Sequence, residues 1–334
     1  METIVVKFGG TSVADDHARA CAIRQIKNIR AQGCGVVAVV SAMGRKGAPY
    51  ATDTLLSLLR PADASSPRTR DLIMSCGETI SACVFADCLD AEGVPAMPMN
   101  SISAGIDTDG AYNSAEITGM DTSRVKTALE KGFVPVITGF QGVSDNWDIT
   151  TLGRGGSDTS AVVIGGYLNA RGVYIYTDVP GVAEADPRIV PQARFLAEVD
   201  TEDMLTLAEN GAGVIHPRAV AAGKRFHIPV WVRSTFDDQP GTAIFPLAEK
   251  PRGLVGLALM KGLPGETPMA GTPLAGTPLA AVTVIAHPIP VSLAIQASEA
   301  LPLADVSVEG DLLRALVPEE EAPQAMRTLY AIFH

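Results

Sequence analysis

Cysteine is scarce in this chain of 334 residues, and its few cysteines do not have the spacing of a metal site. The five cysteines stand at positions 21, 34, 76, 83 and 88, so no Cys-x-x-Cys pair occurs. An odd number without a pairing pattern indicates reduced cysteines and a cytoplasmic protein. Cys76 and Cys83 would share one face of a helix, where we expect both as small core residues.

Positive charge and long apolar runs are also lacking. Lys and Arg number 26 against 37 Asp and Glu, which gives a net charge of −11. We therefore expect no general binding of nucleic acid, and any phosphate site must be local. No apolar run approaches the roughly 20 residues that a membrane helix needs, and the N-terminus is an acidic strand rather than a secretory signal. The sequence predicts no membrane partner.

Hydrophobic residues make up 47% of the chain, and its length allows about two domains. Short apolar strands alternate with helices through residues 1–245. This alternation predicts an α/β fold, a three-layer α/β/α sandwich around a mostly parallel sheet. The predicted strands are Ile4–Phe8, Val36–Val40, Val94–Met99, Val134–Thr138, Val173–Thr177 and Val230–Arg233.

Glycine-containing turns follow several of these strands directly. In open parallel sheets, ligands gather beyond the carboxyl ends of the strands, so the turns are expected to meet at one edge. Lys7 precedes one turn, and it is either a group leaning over phosphates or a surface lysine. Glu78, in a later helix, is either exposed or aimed into a pocket. The turns are 9–12, 41–44, 139–142 and 177–181.

A central loop, residues 150–158, carries three glycines within four residues and then Ser157 and Asp158. Ser157 is predicted to cap the helix that follows, and the start of a helix attracts anions. Arg154 adds a fork suited to carboxylate or phosphate. The alternative is an ordinary glycine-rich turn, and the loop by itself does not decide between them.

The C-terminal third differs in composition. Residues 262–280 repeat Gly, Thr, Pro and Ala, so we expect a linker over residues 248–280. Residues 281–334 predict the order β-α-β-β-α, a small α+β module. About 54 residues are marginal for independent folding, so this module is expected to lean on a partner surface.

Seven motifs in order resemble those of the aspartate kinases, in the amino acid kinase superfamily. The resemblance covers residues 3–245, and residues 39–56 and 75–81 particularly resemble the diaminopimelate-regulated bacterial type. It implies an amino acid kinase domain over residues 1–247 and a single ACT-like regulatory module over residues 281–334. The motifs are Lys7–Val13, Ser41–Gly44, Gly77-Glu78, Gly139–Gly142, Thr151–Asp158, Thr177–Gly181 and Asp186–Arg188.

The resemblance implies transfer of the γ-phosphoryl group of ATP to the β-carboxylate of L-aspartate, with Mg²⁺, giving 4-phospho-L-aspartate for lysine, threonine, methionine and diaminopimelate synthesis. It implies catalytic roles for Lys7, Arg154 and Asp158, and no protein ligands for a metal. The implied aspartate-binding residues are Ser41, Thr52, Glu78, Phe140, Arg154 and Ser157. The implied nucleotide-binding residues are Lys7, Gly9, Gly10, Thr11, Thr177, Asp178 and Arg188.

The chain departs from the family pattern at three points. Ala183 stands where the family has Tyr, and Gly213 where it commonly has Lys, both on the nucleotide side. Only one ACT-like module is present instead of two, so we expect a homodimer through this module and altered or absent feedback inhibition. The alternatives are an amino acid kinase for another acceptor, such as glutamate or N-acetylglutamate, and a non-catalytic ligand-binding regulator.

Overall fold

The computed structural model describes residues 2–263, 278–302 and 304–334. It forms two compact units. The first unit comprises Met1–Pro180 and Arg218–Phe245, and the second comprises Gly181–Pro217 and Pro246–His334.

The helices and strands follow one another in chain order. Within the first 180 residues they are β1 (Thr3–Phe8), α1 (Asp16–Ala31), β2 (Gly35–Val40), α2 (Thr52–Leu56), α3 (Pro67–Ala91), β3 (Ala96–Met99), α4 (Ser101–Ala104), β4 (Ile106–Thr108), β5 (Ile117–Met120), α5 (Ser123–Glu130), β6 (Val134–Thr138), β7 (Gln141–Val143), β8 (Ile149–Thr151), α6 (Gly156–Leu168) and β9 (Gly172–Thr177). The rest are β10 (Glu198–Asp200), α7 (Thr201–Glu209), α8 (Pro217–Phe226), β11 (Val230–Ser234), β12 (Thr242–Phe245), β13 (Gly253–Leu263), β14 (Leu279–His287), α9 (Val291–Ala300), β15 (Asp305–Glu309), β16 (Leu312–Pro318) and α10 (Ala322–Phe333).

The main sheet of the first unit has the order β12-β11-β9-β1-β2-β6-β3. All neighbouring pairs in this order are parallel except β11 and β12. Ile4, Val6 and Phe8 of β1 share a core with α1 and α3. On the opposite face α6 lies so close that a Cβ on Gly165 would be 2.5 Å from Val173. Helices therefore cover both faces, and the predicted three-layer α/β/α fold is confirmed.

A small second sheet, of order β5-β4-β7-β8, lies in the same unit. A turn that includes Asp145-Asn146 connects its antiparallel strands β7 and β8 into a hairpin. The strands β4 and β5 were not expected, because residues 107–121 contain too many polar residues for a hydrophobic period to be visible.

The second unit contains the antiparallel sheet β13-β14-β16-β15. Its core includes residues of α10, such as Leu329 and Phe333, and this α+β module agrees with the predicted fold class. The expectation of a linker over 248–280 was wrong for residues 253–263, which form β13. Glycines at 253, 256 and 262 interrupt the hydrophobic pattern from which this strand could have been predicted. Its alternate residues Val255 and Leu257 are buried. Most of the predicted Gly-Thr-Pro-Ala repeat lies outside the described residues.

Residues 181–217, expected within the catalytic domain, group with the second unit. The reason is hydrophobic: Ala185, Val190 and Ala193 belong to the same core as the C-terminal sheet and α10. Sequence order alone cannot reveal this, because the partners of these side chains stand more than sixty residues further along the chain.

The long helix α3 differs from two expectations. By length and composition it could cross a membrane, although half of its most apolar window is buried in the protein and it carries buried Asp71 and Glu78. Cys76 and Cys83 are exposed rather than core residues. The core face of α3 is formed instead by residues such as Phe85.

Candidate active site

The first unit has a cavity of about 580 Å³, a size that suits a small ligand. It lies at the carboxyl ends of β1, β2 and β6, where the turns were expected to meet. Nine of the predicted site residues line it: Lys7, Gly10, Ser41, Thr52, Glu78, Phe140, Arg154, Ser157 and Asp158. The other lining residues are Ala42, Gly44, Asp53, Met74, Asn113, Thr151, Gly153, Gly155 and Gly156.

The turn after β1 is packed backbone against backbone. A Cβ on Gly10 would lie 2.4 Å from the carbonyl oxygen of Gly44 and 2.6 Å from that of Ala42. The N–H of Gly44 also donates to the carbonyl of Gly10 at 2.9 Å. Only glycine fits at position 10, and its backbone therefore borders the cavity without a side chain in the way.

Lys7 and Asp158 form an ion pair on the cavity wall. Lys7 Nζ lies 2.6 Å from Asp158 Oδ1, and the two side chains are 11% and 16% exposed. Lys7 comes from β1, and Asp158 lies in the first turn of α6. Of the two interpretations of Lys7, the structure therefore agrees with a group that faces the site rather than the outer surface.

The central loop enters α6 through two glycines with left-handed backbone. Gly153 has φ of 72° and Gly155 has φ of 68°, a region that favours glycine. Ser157 was expected to cap this helix, but Gly155 is the cap residue and no side chain caps it. The helix begins earlier because these glycines complete the turn before Ser157. The exposed guanidinium of Arg154 has no hydrogen bond or ion pair within residues 2–263, 278–302 and 304–334.

Glu78 is a buried carboxylate that faces the cavity, 2% exposed. Its Oε1 accepts the N–H of Ala42 at 3.1 Å. Its Oε2 is buried and accepts no hydrogen bond in the described part of the chain. Burial raises the pKa of Glu78 to about 7, against the effect of the Ala42 bond. A buried acceptor without a donor marks a position where a bound cationic group would be stabilised.

Phe140 has a left-handed backbone, with φ of 70°, which is unusual for a bulky residue. Its N–H donates to Ser160 Oγ at 2.9 Å, and its carbonyl accepts the N–H of Leu152 at 2.8 Å. The ring also lies so close to α6 that a Cβ on Gly156 would be 2.7 Å from it. These bonds hold the strained residue against the central loop.

The predicted nucleotide residues are divided between the two units. Thr177 is the last residue of β9 and Asp178 follows it in the first unit, where Asp178 pairs with Arg45 at 2.7 Å. Gly9, Thr11, Thr177 and Asp178 are not in the cavity lining. Arg188 lies in the second unit, where Asp186 holds its guanidinium at 2.7 Å.

The two departures from the family pattern, Ala183 and Gly213, also lie in the second unit. Ala183 forms a β-bridge with Phe195. A side chain at position 213 would have open space around its Cβ.

Sequence reasoning missed two charged groups that hold the cavity wall, the buried Asp71 and the partly buried Arg218. Asp71 binds the backbone of Asn113 and Thr151. Arg218 donates to the carbonyls of Leu152 and Ala115. Asp71 could have been noticed as an acid seven residues before Glu78, on the same helical face. No motif or spacing around Arg218 in the sequence indicated that it lies at the site.

A model of the amino acid kinase family matches residues 2–234. Aspartokinase 1 of Bacillus subtilis (strain 168) is 46% identical over 245 residues, which are 73% of this chain and 61% of that protein. The aspartokinase of Mycobacterium tuberculosis (strain ATCC 25618 / H37Rv) is 39% identical over 311 residues, 92% of this chain and 70% of that protein.

A crystal structure of E. coli aspartokinase III in complex with aspartate and ADP (R-state) has the same fold, with a TM-score of 0.79 and 23% identity, covering 99% of both chains. The chain spans 61% and 63% of the B. subtilis and Thermus thermophilus relatives, less than two thirds of their length. On the family match and these relatives together, the chain belongs to the amino acid kinase family, in its aspartokinase branch.

Proposed function

We propose that the protein transfers the γ-phosphoryl group of ATP to the β-carboxylate of L-aspartate, giving 4-phospho-L-aspartate. One observation carries the proposal: a single cavity is lined by the Lys7–Asp158 pair, by Glu78 Oε2 and by the Arg154 guanidinium, and the last two have no partner in the described part of the chain. A related chain, E. coli aspartokinase III, has been crystallised with aspartate and ADP.

In this proposal the amino acid is held by two opposite charges. Arg154 binds its α-carboxylate, because a guanidinium fork matches a carboxylate. Glu78 accepts its ammonium group, which supplies the donor that Oε2 lacks. The ammonium also favours the ionised form of Glu78 and so lowers its pKa on binding. Ser41, Thr52, Phe140 and Ser157 complete the amino-acid side of the cavity.

Phosphoryl transfer then depends on position and charge. The attacking carboxylate is ionised at neutral pH, so no strong general base is required. Lys7 neutralises charge on the transferring group, and Asp158 orients the Lys7 ammonium through their 2.6 Å contact. The backbone amides of Gly9, Gly10 and Thr11 bind phosphate, since the two glycines place no side chain between the backbone and the ligand. Thr177, Asp178 and Arg188 contact the nucleotide.

Mg²⁺ fits this site as an ion carried by the phosphates. The described residues contain no group of three or more His, Cys, Asp or Glu side chains that could hold a metal by themselves. Mg²⁺ commonly keeps several waters and binds through substrate phosphates, where it neutralises their charge. Lys7 and the glycine turn supply the remaining positive and dipolar groups.

We further propose a cytoplasmic homodimer joined through the C-terminal ACT-like module, with altered or absent feedback inhibition. We also propose that the protein is of the diaminopimelate-regulated type. Activity measured with lysine, threonine and diaminopimelate tests the regulatory part, and strong inhibition by any of them contradicts insensitivity. Sedimentation of the full chain tests the dimer.

A hydroxylamine trap for acyl phosphate tests the main proposal. The purified full chain is assayed with ATP, Mg²⁺ and either aspartate, glutamate, N-acetylglutamate or no acceptor. We expect the highest rate of hydroxamate formation with aspartate, and a much lower rate with glutamate. Preference for another acceptor indicates a different amino acid kinase, and ligand binding without turnover indicates a non-catalytic regulator.

A further inference from the structure

Asp71 is a fully buried carboxylate of α3 that the proposed reaction does not use. Its Oδ2 accepts the N–H of Thr151 at 2.8 Å, and its Oδ1 accepts the Thr151 hydroxyl at 2.7 Å. The N–H of Asn113 approaches both oxygens, at 3.1 and 3.0 Å. The three donors are neutral N–H and O–H groups, and the carboxylate as acceptor makes their hydrogen bonds charge-assisted and therefore stronger. One side chain thereby fastens two separate segments to α3.

Both fastened segments form part of the cavity wall. Asn113 and Thr151 line the cavity, and Thr151 stands three residues before Arg154. The two segments also meet directly, because a Cβ on Gly153 would lie 2.8 Å from the carbonyl oxygen of Asn113. Among the described residues the Arg154 side chain has no partner, while the start of its loop is anchored. Asp71 therefore decides where the backbone that carries Arg154 can lie.

The helix α3 also carries the second group that faces the amino acid. Asp71, Met74 and Glu78 occupy positions i, i+3 and i+7, on one helical face. Met74 and Glu78 line the cavity. At 1.5 Å per residue, Asp71 and Glu78 are about 10 Å apart along the helix axis. The segment of α3 from Asp71 to Glu78 is thus a rigid spacer, with the anchor of the Arg154 loop at one end and Glu78 at the other.

We propose that Asp71 is a positioning residue for substrate selection, an inference that rests on the proposed function. By fixing the Arg154 loop relative to Glu78, it fixes the α-carbon of the bound amino acid. The reach of the side-chain carboxylate toward Lys7 then depends on the number of methylenes. The cavity accordingly distinguishes a four-carbon amino diacid from its five-carbon homologue.

The test is Asp71→Asn, which keeps the shape and one acceptor but turns an NH₂ group toward N–H donors. We expect kcat/KM for aspartate to fall about tenfold, mainly through KM. The KM for ATP stays within about twofold, because the nucleotide residues are held elsewhere. The ratio of kcat/KM for aspartate over glutamate also falls about tenfold.

The matched control is Asp90→Asn in the same helix. Asp90 is exposed, and its Oδ1 likewise accepts a backbone N–H, that of Ala96 at 2.9 Å. We expect wild-type constants and selectivity for this variant. If Asp71→Asn does not fold, Thr151→Val serves instead, because it removes only the hydroxyl donor and should shift KM and selectivity in the same direction.

Two outcomes overturn the inference. One is a loss in kcat alone with KM and selectivity unchanged, and the other is an equal rise in both KM values, since each indicates general structural support. A wild-type chain that phosphorylates a different amino acid contradicts the proposed function instead. The Asp71 inference is then judged on the selectivity between that acceptor and its homologue one methylene longer.

Discussion

The two units each bury a glutamate, and the protein satisfies the two carboxylates differently. In the first unit Glu78 has one oxygen without a donor among the described residues, and burial raises its pKa to about 7. In the second unit Glu184 accepts bonds from Arg194 and Tyr330, each at 2.7 Å. Burial alone would raise the pKa of Glu184, but these bonds hold it below its usual value.

This difference distinguishes a carboxylate that can bind a ligand from a carboxylate that stabilises the fold. A fully bonded buried carboxylate stabilises the fold in which its partners are placed. A carboxylate left with an unsatisfied oxygen reduces stability, and a ligand that supplies the donor recovers that free energy as affinity. Glu184 therefore belongs to the structure of the second unit, and Glu78 is the carboxylate that we propose for ligand binding in the first.

The largest expected difference between the units is the effect on kcat of replacing the lysine of a Lys–Asp pair. Lys7–Asp158 in the first unit and Lys250–Asp203 in the second have almost equal lengths, 2.6 and 2.7 Å. We expect Lys7→Met to lower kcat more than about 100-fold, because the ammonium faces the transferring phosphoryl group. The measurement is steady-state kinetics by the hydroxylamine trap.

Lys250→Met is the control for Lys7→Met, and we expect it to leave kcat within about twofold. Thermal unfolding of both variants verifies that each is folded. Turnover of Lys7→Met within tenfold of wild type would show that its ammonium has no catalytic role.

The second difference concerns substrate affinity. We expect Glu78→Gln to raise the KM for aspartate about 30-fold, since a charged partner for the ammonium is lost. Glu184→Gln, the matched change in the second unit, should leave this KM within about twofold. Initial-rate kinetics with varied aspartate gives the KM of each variant. Similar KM values for both variants would show that Glu78 and Glu184 do not differ in substrate binding.

The third difference is the pH dependence of stability. The pKa of Glu78 rises from 4.5 unfolded to about 7 folded, so the folded state binds more protons across this window. The free energy of unfolding of the unliganded protein therefore falls as pH rises through it, by about 2 kcal/mol from about pH 5.5 to about pH 8. Urea unfolding of wild type and Glu78→Gln at both pH values isolates this contribution.

Glu184 should show the opposite slope. Its pKa is lowered in the folded state, so its stabilising contribution is present above the unfolded value of 4.5. That contribution is lost as pH falls through the lowered pKa. A pH dependence that is identical in wild type and Glu78→Gln would contradict the first half of this contrast.

The smallest effect is expected from the hydroxyl of Tyr330. Burial and the bond to Glu184 raise the pKa of Tyr330 to about 12. Tyr330→Phe should lower the free energy of unfolding by about 1 kcal/mol, because Oε2 of Glu184 loses its shortest hydrogen bond and keeps only the longer ones from Arg194. Tyr167→Phe, which loses an exposed bond to the carbonyl of Thr118, is the control and should have a smaller effect. Equal losses would mean that the burial of Glu184 is unimportant.

Much of the site was predictable because its chemistry lies in short motifs at the ends of strands. The alternation of strands with helices brings Lys7, Gly10, Ser41 and Phe140 to one sheet edge. The boundaries of the second unit were less predictable. Residues 181–217 have an ordinary α/β pattern, and only distant hydrophobic partners group them with the C-terminal sheet.

The sequence by itself determined the parallel sheet, the family and the residue types gathered at the cavity, because periodicity and motif spacing are local properties. The tertiary structure alone decided that Glu78 faces inward with an unpaired oxygen, and that Asp71 joins α3 to the Arg154 loop. The physical reason is that a polar side chain's role depends on which donors surround it. Those donors, Ala42 for Glu78 and Thr151 for Asp71, come from 36 and 80 residues away along the chain.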